Sequence, residues 1–133
     1  ANWLTSKLVL AAMRKYKDST NQYLWQPSVA AARLLAATTA PIWWRGDFDW
    51  TGVRTTRTAI DRYGARPWLM DAETYRDGLK LGDSERFKPG DRPAETPWDP
   101  ALSVAMAEAG RAVMEERLID TLRAGWPPHP VPL

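Results

Sequence analysis

Apolar and polar positions repeat with several different periods along this chain, and each change of period marks an element. Leu4, Leu8 and Ala11/Ala12 form a stripe at helical spacing, so residues 4–17 read as an amphipathic helix. Thr5 or Ser6 can cap it, and Arg14, Lys15 and Lys17 suit its C-terminal end, where the backbone dipole attracts cations. Asp18-Ser19-Thr20-Asn21 is a cluster of turn formers, and Gln22-Tyr23-Leu24-Trp25 is a short strand candidate before Pro27 breaks the pattern. Ser28 stands as N-cap of an alanine- and leucine-rich helix, Val29–Ala37. After Pro41, Ile42-Trp43-Trp44-Arg45 reads as a strand that stops at Gly46.

From Thr51 the period is helical again. Val53, Thr56/Arg57, Ile60 and Tyr63 fall on one face, and Gly64 sits where a C-terminal glycine belongs. Arg66-Pro67-Trp68-Leu69-Met70 is a second strand with its proline near the start, and Asp71 caps a short helix, Ala72–Leu79. Residues 80–98 are charged and repeatedly broken by Gly and Pro, which predicts a long loop or a loop with a short excursion. Asp99-Pro100 is a strong helix start, and the helix is expected to run to about Arg123 as the longest element. Val104, Ala107, Met114, Leu118 and Leu122 would supply its buried stripe, Gly125 would end it, and residues 127–133 would form an extended or disordered proline-rich tail.

From residue 28 onward strands alternate with helices, which predicts βαβ units. The expected class is α/β: a small parallel sheet flanked by helices, preceded by an N-terminal helix–turn–strand. A length of 133 residues suits one domain with a real core. With 44% apolar and 26% charged residues the composition is that of a soluble globular protein, and no apolar run approaches a bilayer-spanning length, so no membrane partner is expected. The apolar patch Leu8–Met13 is too short for a secretory signal and is followed by Arg14 and Lys15. The absence of cysteine excludes disulfide and thiolate chemistry and suits a cytoplasmic location, and the single histidine, His129, excludes His-based triads and His-ligated zinc. Charge is uneven. Residues 1–72 carry ten Lys/Arg against five Asp and no Glu, a net +5, whereas residues 73–133 carry eight against eleven, a net −3. That excess is modest for a phosphate-tracking surface and reads equally as solvated charge. The eight tryptophans are expected mainly as core or interface anchors.

Chemistry concentrates in Gly46-Asp47-Phe48-Asp49-Trp50-Thr51-Gly52. Aspartate is a poor strand former, and two carboxylates this close repel unless a cation or donors compensate. At the carboxyl end of a parallel strand, where ligands of such sheets gather, an Asp-x-Asp pair offers oxygens to a hard divalent cation such as Mg²⁺. The plainer alternative is that Asp49 only caps the following helix while Asp47 is solvated.

Several strings carry a resemblance: Gln26-Pro27-Ser28, Gly46-Asp47-Phe48-Asp49-Trp50 with Gly52, and Tyr63-Gly64-Ala65-Arg66-Pro67-Trp68 with Met70-Asp71 and Tyr75. Pro97-Trp98-Asp99-Pro100-Ala101-Leu102 and Gly110-Arg111-Ala112-Val113 with Glu115-Glu116 complete it. On these, residues 28–126 resemble the Toprim-type C-terminal domain of the topoisomerase-VI-A-like subunit of Wadjet anti-plasmid systems. The resemblance implies that Asp47 and Asp49 are catalytic metal ligands for Mg²⁺ (or Mn²⁺) in cleavage of DNA phosphodiesters. It also implies DNA and the condensin-like (SMC-type) subunits of a defence complex as partners. A Toprim site further requires a glutamate on an earlier strand, and no glutamate precedes Glu73 here; Glu115 or Glu116 is the candidate accessory acid.

Residues 2–27, from Asn2-Trp3-Leu4 through Lys15-Tyr16-Lys17-Asp18-Ser19 to Gln22-Tyr23-Leu24-Trp25-Gln26-Pro27, resemble a segment of tailed-phage major capsid proteins. The two resemblances meet at Gln26-Pro27-Ser28, which implies either a chimera of a capsid-like segment (1–27) and a Toprim-like domain (28–126) or a divergent natural Toprim relative. The competing function is a non-enzymatic structural or assembly module, phage-capsid-derived or recombined, that forms homo-oligomers. A third reading, a plain DNA-binding module, would use Arg54 and Arg57 at i,i+3, with Arg62 and Arg66 on the same surface.

Overall fold

The computed structural model describes residues 13–124. They open on a β-hairpin in which β1 (Met13–Lys17) pairs antiparallel with β2 (Tyr23–Pro27), Lys17 opposite Tyr23 and Met13 opposite Pro27. Asp18 builds the turn: its Oδ1 accepts from the Thr20 N–H (2.8 Å), the Thr20 hydroxyl (2.7 Å) and the Gln22 N–H (2.9 Å). Asn21 takes the left-handed conformation (φ 64°) that asparagine tolerates. Arg14, Lys15 and Lys17 therefore belong to a strand, which corrects the helix expected to end on them. A turn closed by three side-chain bonds lets the flanking runs ladder, and that outcompetes a helix end. Residues 4–12 of the expected helix lie outside the described residues.

Helix α1 (Val29–Ala37) starts as expected on Ser28, whose Oγ accepts from the Ala31 N–H at 3.3 Å. Next come β3 (Trp43–Trp44), helix α2 (Trp50–Tyr63) and β4 (Arg66–Pro67). Strands β3 and β4 run parallel, Trp43 opposite Arg66 and Trp44 opposite Pro67, with α2 as the crossover. This is the expected α/β class, but the parallel layer among the described residues is one short pair. The strand foreseen over 66–70 stops at Pro67 because Leu69 turns left-handed (φ 50°), and the Trp68 and Leu69 carbonyls then accept from Arg45.

Helix α3 (Ala72–Lys80) is capped by Asp71, whose Oδ1 accepts from the Thr74 N–H at 3.0 Å. The following loop makes its short excursion as β5 (Glu85–Arg86). Helix α4 (Pro100–Ala109) shares its cap with α3: Asp99 accepts from Ala101 N–H through Oδ1 (3.3 Å) and from Ala72 N–H through Oδ2 (2.9 Å). The neighbouring Trp98 donates its indole N–H to the Met70 carbonyl at 2.7 Å. The Trp-Asp-Pro string is thus a fastener between two helix starts.

The long final helix is a correction. It ends at Ala109, where Gly110 adopts φ 66° and its N–H closes on the Met106 carbonyl at 2.8 Å. The chain then pairs as β6 (Arg111–Ala112) antiparallel to β5, winds a 3₁₀ turn over Glu115–Leu118, and finishes in α5 (Ile119–Ala124). Val104 and Ala107 are accordingly exposed, and α4 buries Leu102, Ala105 and Met106 instead. Leu118 is buried as expected, but from the 3₁₀ turn. Gly125 and the proline-rich tail lie outside the described residues.

The main core joins Phe48, Trp50 and Val53 to Met70, Tyr75, Leu102, Met106, Val113 and Leu118, while Met13, Leu35, Trp44, Ala59 and Ala65 form a second cluster. Residues following Gly110 therefore complete the core beneath the acidic corner. Leu118→Ala is expected to cost about 2–5 kcal/mol in urea unfolding, the range for a fully buried leucine. A loss below about 1 kcal/mol would show that this segment is not seated there.

Candidate functional site

The corner is organised by the residue between the two aspartates. Phe48 is fully buried, packs edge-on against Tyr75 with ring centroids 5.4 Å apart, and exchanges backbone bonds with Val113 at 2.8 and 3.1 Å. Extended backbone alternates its side chains, so fixing Phe48 inward sends Asp47 and Asp49 together to the opposite side. Both are half-buried.

Each aspartate already has one backbone donor. Asp49 Oδ1 accepts from the Gly52 N–H at 2.6 Å, which makes Asp49 the N-cap of α2. Asp47 Oδ1 accepts from the Glu115 N–H, also at 2.6 Å. Gly52 is required by close approach, since a Cβ there would collide with the Asp47 carbonyl and come within 3.1 Å of Asp49 Oδ1. The second glycine of the string thus lets the helix start lie against the acidic turn.

Arg45 closes the corner from below. It is 8% exposed; its Nε contacts Glu115 Oε1 at 3.1 Å, and its Nη1 donates to the Trp68 and Leu69 carbonyls at 2.9 and 3.0 Å. Its Nη2 is buried without a hydrogen-bond partner among the described residues. Burial lowers the Arg45 pKa, and the charges of Glu115, Asp47 and Asp71 oppose that fall. A guanidinium remains charged at this site and acts as the internal counterion.

Asp49 is shifted the other way. Burial raises its pKa, the Gly52 N–H opposes the rise, and the like charges of Asp47 and Asp91 add to it, with Lys88 pulling down. Lys88 and Asp91 come from the loop before α4, which has no period to place it, and Arg45 reads in sequence only as a strand residue. These three neighbours of the pair were not legible as such.

The other candidates separate. Glu115 reaches the corner, but its carboxylate is engaged by Arg45. Glu116 is exposed and lines a different cavity, of about 250 Å³, together with Gly78, Ser84 and Arg117. Arg54 is turned inward: its Nε donates to the Tyr23 carbonyl and its Nη1 to the Arg92 carbonyl, both at 2.9 Å, and its Nη2 pairs with Asp91 at 2.5 Å. It fastens the hairpin and loop to α2 and is not free for phosphate. Arg57 is half-exposed, with long pairings to Asp61 (4.0 Å) and Glu95 (3.8 Å).

Among the described residues no group of three or more acidic or histidine side chains is arranged to hold a metal ion. The pair alone offers one further oxygen from each carboxylate. That suits Mg²⁺, which keeps several waters and often binds through one or two carboxylates plus substrate phosphates, and does not suit a closed protein cage.

The raised Asp49 pKa carries a sign. Ionising Asp49 costs more in the folded chain than in the unfolded one, so its contribution to stability falls as pH climbs from the ordinary aspartate value of 3.8 through the raised one. Asp49→Asn keeps an acceptor for Gly52 and removes the charge. The variant is expected to be at least as stable as wild type at pH 7, with the difference closing below pH 3.8. Thermal unfolding across pH measures it; an Asn variant destabilised by more than about 1 kcal/mol at neutral pH would contradict this assignment.

Neither a curated protein nor a solved structure matches the chain. Residues 20–125, most of its length and all of the corner, match the family model described as "Protein of unknown function C-terminus (DUF2399)", and the chain belongs to that family.

Proposed function

We propose that this chain is a Toprim-like domain that contributes an Asp47-x-Asp49 pair to Mg²⁺- or Mn²⁺-dependent cleavage of DNA phosphodiesters, and that the chain alone is an incomplete cleavage site. The observation that carries the reading is the anchoring of Phe48 between two half-buried aspartates just past the end of a parallel strand. Family membership over residues 20–125 supports it, because the same domain family occurs in the topoisomerase-VI-A-like proteins of Wadjet systems.

In that role a bound Mg²⁺ would supply Lewis-acid stabilisation of charge on the scissile phosphate. The chain's own residues do the rest: Asp47 and Asp49 would hold the ion, Gly52 admits the helix start against the acidic turn, and Arg45 ties the end of β3 to the Trp68 and Leu69 carbonyls. Among the described residues Glu115 is the further acid that reaches the corner, and its carboxylate is paired with Arg45, so it adds no open ligand to the pair. On this reading the partners are DNA and the condensin-like subunits of a cytoplasmic anti-plasmid complex, and the capsid-like segment expected over residues 1–27 overlaps the family match at residues 20–27.

One observation favours a second reading, a non-enzymatic structural or assembly module. Both aspartates already accept a backbone N–H, and the Arg45 guanidinium is a counter-charge to Asp47 within the fold.

Metal binding separates the two. At about ten times Kd, Mg²⁺ or Mn²⁺ is expected to raise the melting temperature by about 5 °C, and Asp47→Ala is expected to abolish the shift. Plasmid nicking by the chain alone is expected to be weak or absent even when the shift is present. A wild-type protein whose melting does not respond to either ion would leave the structural reading standing.

A further inference from the structure

The hairpin presents a cationic and aromatic face that the acidic corner does not use. Its register sets Lys15 opposite Trp25 and Lys17 opposite Tyr23, so the two-residue period of a strand places all four side chains on one face. All four are exposed, Tyr23 at 44% and Trp25 at 41%. The Lys15 and Lys17 ammonium groups lie 4.5 and 5.2 Å from the centre of the Tyr23 ring, so the cations gather around the aromatics. Asp18, the one acid between Met13 and Pro27, is occupied by its three bonds within the turn.

The platform is held from behind. Leu24, on the opposite face, is buried at 6%. The Trp25 N–H donates to Thr55 Oγ1 at 2.9 Å, and the Tyr23 carbonyl accepts from Arg54 Nε at 2.9 Å, which ties β2 to helix α2 through its backbone. Those ties leave the Tyr23 and Trp25 rings directed outward from a fixed strand. Alternate residues of a strand are spaced by about 7 Å, a separation at which successive bases of an extended strand can each meet a side chain.

Two cations gathered at Tyr23 beside an exposed indole, Trp25, suit a polyanion whose bases are unpaired. Phosphates meet the ammonium groups and bases stack on aromatics without sequence preference, whereas a duplex hides its base faces. We propose that the Lys15, Lys17, Tyr23 and Trp25 face is a docking surface for single-stranded DNA, with Trp25 stacking on a base and the two lysines meeting neighbouring phosphates. Neither Asp47 nor Asp49 contributes to it, so it stands or falls separately from the metal reading.

The test uses the full chain in EDTA, with fluorescence anisotropy of a labelled oligothymidine of about twelve nucleotides, a duplex of equal length and a polyglutamate peptide. The single strand is expected to bind more tightly than either competitor, with affinity falling as salt rises. Lys15→Gln with Lys17→Gln is expected to weaken binding about tenfold or more and to flatten the logarithmic salt slope by about 1.4. Trp25→Ala is expected to weaken it about tenfold and Trp25→Phe to retain most of it. Because Trp25→Ala bears on a core-tethered strand, the exposed lysine variants and Trp25→Phe decide the matter if it unfolds. Unchanged affinity in the lysine variants overturns the proposal. So does equal or tighter binding of duplex or polyglutamate, or self-association of the chain through this face in place of DNA binding.

Discussion

The buried guanidinium of Arg45 is the contact on which the acidic corner depends. It joins the end of β3 to the Trp68 and Leu69 carbonyls and to the Glu115 carboxylate, while Asp47 reaches the Glu115 N–H. Three stretches far apart in sequence are thereby fixed around one turn. The cost of burying the cation is offset by Glu115, Asp47 and Asp71, and removing any one partner leaves the others in a poorly solvated place. Leu69, held left-handed at φ 50°, shows the same economy: its strained backbone aims a carbonyl at Arg45.

Aspartates at helix starts do much of the remaining positioning. Asp49, Asp71 and Asp99 each accept an N–H of the first turn that follows, and Asp99 also takes the Ala72 N–H. Asp47 is different in kind, since it bonds to a segment 68 residues away rather than to its own helix. That asymmetry divides the pair's work. Asp49 is made locally and would cap α2 in any context, whereas the placement of Asp47 requires the chain beyond Gly110 to be seated.

What could be read from the sequence was local. Ser28, Asp49, Asp71 and Asp99 stand before their helices with the right neighbours, and Gly64 and the β3–α2–β4 alternation are visible as pattern. What failed was decided by contacts between distant residues. Gly110 looks like a tolerated glycine inside a helix because Met114, Leu118 and Leu122 continue the apolar spacing, yet pairing of Arg111–Ala112 with Glu85–Arg86 and of Val113 with Phe48 ends the helix there. Lys15 and Lys17 look like cations at a helix end, and only the bonds gathered by Asp18 show that a turn and a ladder compete. At the site, the Asp-x-Asp string is legible and its surroundings are not: Arg45, Lys88 and Asp91 carry no periodic signal, and Arg54, a cation that a DNA-binding reading would use, is a tether.

The central claim is that Phe48, pinned inward, presents Asp47 and Asp49 together to a divalent cation. Paramagnetic broadening of backbone amide signals by Mn²⁺ added well below one equivalent measures this most directly, because the effect is confined to residues near the ion. The account predicts selective loss of the signals of residues 46–52 and of Glu115, absent in Asp47→Ala. Broadening centred elsewhere, at Asp18 or Glu116 for example, or none at all, would contradict it.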